Sequence, residues 1–130
     1  MNSLKSLTDP TELEEFLESS FDRPLLVFKH SSTCGTSHAA HEELMRFLQN
    51  AQPGFDTALI TVQAARPLSN LIADRLGIPH QSPQALLVRN GKAVWHKSHH
   101  NITFESLSKA IQENARHNEP SKSFNSISPI

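Results

Sequence analysis

Leu25-Leu26-Val27-Phe28-Lys29-His30-Ser31-Ser32-Thr33-Cys34-Gly35-Thr36-Ser37 decides how the chain reads. Its first four residues are a continuous apolar run of strand length, the pattern of a strand buried on both faces, as in a parallel sheet. Lys29 to Thr33 read as a polar loop, and a helix begins beside Cys34. Ala40, Leu44, Phe47, Leu48 and Ala51 then recur at helical spacing, and Pro53-Gly54 closes that helix. Unpaired N–H groups and the positive end of the helix dipole stabilise a thiolate at such a junction. Ser32 or Thr33 suits the N-cap, and Lys29 and His30 add positive potential upstream. Most free cysteines are small buried hydrophobes. The polar neighbours Ser31 to Thr33 and Gly35 to Ser37 argue against burial in apolar packing, so Cys34 is the candidate nucleophile.

Working outward, Asp9-Pro10-Thr11-Glu12 opens an earlier helix, with Asp9 as N-cap and Glu12 completing a capping box. Leu13, Phe16 and Leu17 form its apolar stripe, and Arg23-Pro24 blocks continuation beyond about Ser20. Ala58 to Val62 reads as a second strand. Pro67 starts a third helix, with Leu68, Leu71, Ile72 and Leu76 inward and Gly77 as its stop. Ala85 to Val88 is a third strand. Asn90-Gly91 signals a hairpin into Ala93-Val94-Trp95, with Trp95 a core residue. A last helix runs from about Thr103 to Arg116, with Phe104, Leu107, Ile111 and Ala115 inward. The order α-β-α-β-α-β-β-α, with a right-handed crossover at its β-α-β start, is that of an α/β thioredoxin-like fold. The expected sheet is a central four-stranded mixed one, two parallel strands plus an antiparallel hairpin, flanked by four helices. One domain is expected over residues 1–117, followed by a flexible tail over 118–130, where no period is visible. There are no internal repeats.

Composition narrows the function. The chain has 130 residues, 12 Lys plus Arg against 13 Asp plus Glu, and a net charge of −1. No basic field exists to grip nucleic-acid phosphates. The longest apolar runs, such as Pro24 to Phe28, are too short to span a bilayer, so no membrane partner is expected. Met1-Asn2-Ser3-Leu4-Lys5 has no apolar run behind its lysine, and the expected location is the cytoplasm. The single cysteine excludes an internal disulfide and any zinc site built on several thiolates. Histidine is abundant, at eight residues. His96, His99 and His100 straddle a strand end with no adjacent carboxylate, so no metal is expected there.

Several spaced motifs carry a resemblance over about residues 4–115. They are Phe28-Lys29-His30-Ser31, Thr33-Cys34, Ser37, Ala40, Arg66-Pro67-Leu68-Ser69-Asn70, His80-Gln81-Ser82-Pro83-Gln84 and Gly91-Lys92-Ala93-Val94-Trp95-His96-Lys97-Ser98-His99. Together they resemble the YtxJ-type monothiol bacilliredoxins of the thioredoxin-like superfamily. That resemblance implies bacillithiol-linked redox chemistry with no tightly bound cofactor, a low-molecular-weight thiol as co-substrate, and S-thiolated proteins as clients. It implies a cis Pro83 beside the cysteine, with the Ser82 backbone presented to substrate. One departure is plain. The family usually reads Thr-Cys-Pro-Ile-Ser, where this chain has Thr33-Cys34-Gly35-Thr36-Ser37, and glycine loosens the first helical turn.

Ser37 stands where a resolving cysteine would complete a Cys-x-x-Cys pair. Its hydroxyl either donates to the Cys34 thiolate or caps the helix, and it cannot resolve a mixed disulfide. Gly35, Thr36, His80, Ser82, Pro83, Ser98 and His99 are the candidate substrate-binding residues. His80 reads equally as a surface-loop residue. Ser98-His99 reads equally as a helix-capping loop, or, by analogy with glutaredoxins, as a seat for the polar tail of a small thiol. The leading expectation is a monothiol thiol-disulfide oxidoreductase acting through Cys34. The alternatives are iron–sulfur cluster binding, suggested by the likeness of Cys34-Gly35-Thr36-Ser37 to the Cys-Gly-Phe-Ser string of monothiol glutaredoxins, and a redox-inert thioredoxin-like interaction module.

Overall fold

The computed structural model describes residues 4–116. In chain order these run β1 (Leu4–Ser6), α1 (Pro10–Ser19), β2 (Leu25–His30), α2 (Gly35–Asn50), β3 (Asp56–Thr61), α3 (Arg66–Leu76), β4 (Gln84–Arg89), β5 (Lys92–Ser98) and α4 (Phe104–Arg116), with a 3-10 turn at His99–Asn101 before α4. The sheet order is β1-β3-β2-β4-β5. β1, β3 and β2 are parallel, and β4 and β5 are antiparallel additions. The thioredoxin-like order expected from the sequence is present, with one strand more than the expected four. That strand, β1, pairs Leu4, Lys5 and Ser6 with Thr57, Ala58 and Leu59 at the sheet edge. Three residues are too few to display a period of two, so their pattern carries no strand signal.

β2 also runs further than its apolar residues suggest. Lys29 and His30 belong to the strand, not to the loop after it. Lys29 pairs with Ile60 and Gln84, and His30 with Thr61. The β4 ladder therefore holds the backbone as far as Lys29, and the β3 ladder carries it to His30, at the threshold of the cysteine loop.

Alternation along the central strands divides the core into two. Leu25 and Val27 of β2, Ile60 of β3, and Leu86 and Val88 of β4 pack with Leu13 and Leu17 of α1 and Leu68 and Ile72 of α3. Leu26 and Phe28, with Ala85 and Leu87, pack on the other face with Leu44, Phe47 and Leu48 of α2 and Leu107 of α4. Trp95 is partly buried against this second cluster. Helices thus cover both sheet faces, which is why the central strands read as continuous apolar runs.

The local signals act as their chemistry requires. Asp9 accepts from the Thr11 N–H at 3.1 Å to cap α1. Glu12 reaches back one residue further than a capping box would, to the Thr8 N–H at 3.3 Å. Asn90 and Gly91 hold φ of 53° and 77° in the β4–β5 turn, the left-handed pair that a two-residue hairpin needs. No helix among the described residues is long and apolar enough to cross a membrane. The tail expected over 118–130, and the side chain of Ala115, lie outside the described residues.

Candidate active site

Cys34 lies between β2 and α2 and is itself the N-cap of α2, with extended backbone (φ −109°, ψ 125°) and partial exposure. Neither Ser32 nor Thr33 caps the helix, as the sequence suggested. The side chains before Cys34 are instead engaged sideways. Gln63, in the turn after β3, donates from Nε2 to Ser31 Oγ at 2.7 Å and to Thr33 Oγ1 at 3.2 Å, and its Oε1 accepts from the Ser32 N–H at 3.1 Å. His38, one turn into α2, donates from Nε2 to the Ser32 carbonyl at 3.0 Å. The Cys34 N–H closes a turn onto the Ser31 carbonyl at 3.4 Å, and the Cys34 carbonyl accepts the His38 N–H at 3.1 Å.

Ser37 is fully buried and does neither of the two things considered for it. Its Oγ accepts from the Ser31 N–H at 2.8 Å and pairs with His30 Nδ1 at 2.9 Å. It is a strut between the end of β2, the loop and the helix. Among the described residues no hydrogen bond joins it to the Cys34 sulfur. Ser37→Ala would leave the partly buried Ser31 N–H and a His30 ring nitrogen without these partners. A loss of about 1–2 kcal/mol in unfolding free energy is expected from urea titration, with part of the thiol chemistry retained.

His30 does not supply the positive charge expected of it. Its ring stacks on Phe28 at 6.0 Å and stands 5.0 Å from His41 and 5.4 Å from His38, centroid to centroid. Burial, then the neighbouring His41 and His38, hold its pKa below 6.5. At neutral pH the imidazole is uncharged and contributes hydrogen bonding and packing. Burial also lowers His41 and His80. For each of these the unfolded chain takes up a proton before the folded one as pH falls. Their stabilisation is complete above pH 6.5 and is lost below it. The urea midpoint is therefore expected to fall as the buffer is taken from pH 7.5 to 5.5; a flat midpoint over that range would contradict the buried, neutral histidines.

Lys29 leaves the strand on the side opposite α2. It is fully buried, and its Nζ donates to the Ser69 carbonyl of α3 and to His80 Nδ1, both at 3.2 Å. Burial lowers its pKa from 10.5 to about 8. It acts on the loop that carries His80 instead of contacting the cysteine loop. Gln84, its neighbour across the ladder, holds the same loop through the Pro79 carbonyl at 3.1 Å and the Gln81 N–H at 3.4 Å. That loop ends in the cis peptide Ser82–Pro83.

The expected substrate-binding residues fall into two connected groups. The His99 N–H donates to the Pro83 carbonyl at 3.1 Å, and Ser98 pairs with Gln84 across the β4–β5 ladder, so Ser82, Pro83, Ser98 and His99 form one rim. His99 has a left-handed φ of 55°, an uncommon conformation for a residue with a side chain. Thr36 and His99 share a small cleft of about 110 Å³ with Glu43, His100 and Thr103. Glu43 is committed there, accepting the Phe104 N–H at 2.7 Å and pairing with Arg46 at 2.8 Å. Gly35 is exposed, and a Cβ built on it would touch nothing within 4 Å, so the first turn of α2 is open beside the sulfur. A larger apolar groove, lined by Phe47, Phe55, Phe104 and Ile111, lies at the far end of α2, away from this chemistry. Sequence reasoning missed Gln63 and His38. His38 could have been placed by its spacing of four from Cys34; nothing local marks Gln63.

Comparison with known proteins agrees with this geometry. A solved structure described as a candidate oxidoreductase with a thioredoxin fold is 32% identical and aligns with a TM-score of 0.73 over 82% of this chain and 92% of its own. A mutant thioredoxin from Halobacterium salinarum aligns with a TM-score of 0.67 at 16% identity, over 87% of this chain and 91% of that one. The thioredoxin of Malassezia sympodialis aligns at 0.71 and 11% identity, over 88% and 93%. These last two show the shared fold. The sequence model of a protein family described as monothiol bacilliredoxin BrxC matches residues 5–107, and with the lone thiol at the head of α2 this places the chain in that family of thioredoxin-fold thiol-disulfide oxidoreductases.

Proposed function

We propose that this protein removes a low-molecular-weight thiol, bacillithiol or a close analogue, from mixed disulfides on client proteins in the cytoplasm. The observation that carries the reading is Cys34 itself, a partly exposed sulfur at the N-cap of α2 in a chain with no second thiol. The Cys34 thiolate attacks the small-thiol sulfur of client–S–S–R. The client thiolate leaves and takes a proton from solvent, and Cys34 becomes Cys34–S–S–R. A second small thiolate, R–S⁻, then attacks the sulfur that bears R, releasing R–S–S–R and restoring the Cys34 thiolate. Each step exchanges one disulfide for another, so neither step needs an outside oxidant or reductant; a two-electron reductant is required only to return the released R–S–S–R to the thiol. The open first turn at Gly35 and the rim of Ser82, Pro83, Ser98 and His99 support room and backbone for the mixed disulfide.

The test is a model client carrying one bacillithiol adduct, mixed with reduced protein and read by intact mass. A transient adduct on Cys34 with matching loss from the client is expected. A client that keeps its adduct, or a purified protein whose visible absorbance reports a cluster, would replace this reading with a binding one.

A further inference from the structure

The turn after β3 is a rigid mount. The Val62 N–H donates to the His30 carbonyl at 2.8 Å, and the Ala64 and Ala65 N–H groups return to the Thr61 carbonyl at 3.0 and 2.9 Å. Val62 and Ala65 are buried on either side of Gln63 and Ala64. Gln63 is thus an exposed side chain on a fixed backbone, and its amide meets all three residues that lead into Cys34. The geometry fits the chemistry of a carboxamide. Its carbonyl oxygen takes the Ser32 N–H, while its NH₂ serves two hydroxyl oxygens at once. Those two hydroxyls lie 3.4 Å apart, so one donates to the other while both accept from the amide. The Ser31 N–H is already held on the opposite side by Ser37, and the Ser32 carbonyl by His38.

An exposed side chain gains little global stability from such bonds, because water competes for each of them. What three bonds from a fixed point do is select one conformation of a short loop. From this placement we infer that Gln63 is a positioning residue for the thiol chemistry: it clamps Ser31, Ser32 and Thr33 so that Cys34 is held at the head of α2 in its reactive orientation. The inference rests on the oxidoreductase reading of Cys34. It concerns how the nucleophile is preorganised, a requirement that a loop alone meets poorly.

Three proteins test it: wild type, Gln63→Met and Gln63→Glu. Methionine keeps length and loses every donor and acceptor of the amide. Glutamate keeps the oxygen for the Ser32 N–H and accepts the Ser31 and Thr33 hydroxyls after they rotate, so it restores the clamp while adding a negative charge beside the sulfur. Two readouts are taken on each: hydrogen exchange of the Ser32 amide, and the rate of Cys34 with a neutral alkylating probe across pH. In Gln63→Met, Ser32 exchange is expected to quicken and the Cys34 rate to fall by about tenfold, with the melting temperature nearly unchanged. In Gln63→Glu, Ser32 protection is expected to return, with the pH–rate profile moved to higher pH. A Gln63→Met protein that keeps both Ser32 protection and the wild-type rate overturns the inference. Lost protection at an unchanged rate also overturns it, since the clamp would then be structural only. A wild-type Cys34 no faster than the thiol of an unfolded peptide would instead overturn the oxidoreductase reading, and this inference with it.

Discussion

Cys34→Ser is expected to abolish release of the small thiol from a client, to the uncatalysed background. The hydroxyl of serine ionises far above neutral pH, so the attacking anion disappears while the shape of the site is kept. The chain has no other thiol to take over. Ser37→Cys makes the opposite change. It creates the Cys-x-x-Cys spacing, and two side chains three apart in a first helical turn lie on one face. The introduced thiol must first turn away from His30 and the Ser31 N–H, which hold the serine hydroxyl at 2.9 and 2.8 Å. Oxidised Ser37→Cys protein is then expected to carry an internal disulfide and little small thiol, where oxidised wild type carries a 1:1 adduct on Cys34. Mass spectrometry of both proteins under non-reducing conditions distinguishes these states. A Cys34→Ser variant that releases the client at the wild-type rate would show that the chemistry lies elsewhere in the chain.

The thiol is legible because its signals are local. An apolar run, a polar loop, a cysteine and a helical stripe lie within one stretch, and Asn90-Gly91 marks its turn by dipeptide alone. The parts that were not legible share a cause. β1 is three residues long and owes its existence to the free edge of β3. Gln63 acts across about thirty residues of chain, and its partners are fixed by where β3 ends. Lys29 is the instructive case. Its charge reads as a loop residue or a helper of the thiolate, whereas the strand ladder carries it into the core and the carbonyl of Ser69 receives it. Residue type gave the correct polar character and the wrong direction, because direction comes from the alternation of β2 and not from the side chain.

That buried ammonium makes the second large prediction. Lys29 is fully buried, with Ser69 O and His80 Nδ1 as its hydrogen-bond partners and no carboxylate among them. Its pKa falls from 10.5 to about 8 because burial disfavours the charged form. Between those two values the unfolded chain holds a proton that the folded chain has lost, so stability rises with pH through that window. Read downward, the stabilisation present above pH 10.5 is lost as pH falls through about 8. At about 1.4 kcal/mol per tenfold, the charged form costs the fold about 3 kcal/mol at pH 7. Lys29→Met fills the same space without the charge and gives up the two hydrogen bonds. A net gain of about 2 kcal/mol is expected at pH 7, since replacing a buried charge by an apolar side chain of similar volume is often stabilising. The gain should shrink steadily between pH 8 and 10.5 and turn into a loss of about 1 kcal/mol above, where only the two missing hydrogen bonds are left, which an unrelated stabilising effect would not do. Urea titrations of both proteins at pH 7, 9 and 10.5 decide it. The same variant removes the donor that fixes His80 in its Nε2–H form, so it should slow client release even as it stabilises the fold. A Lys29→Met protein that is less stable at pH 7, or more stable by the same amount at all three pH values, would show that the ammonium costs the core nothing where it sits.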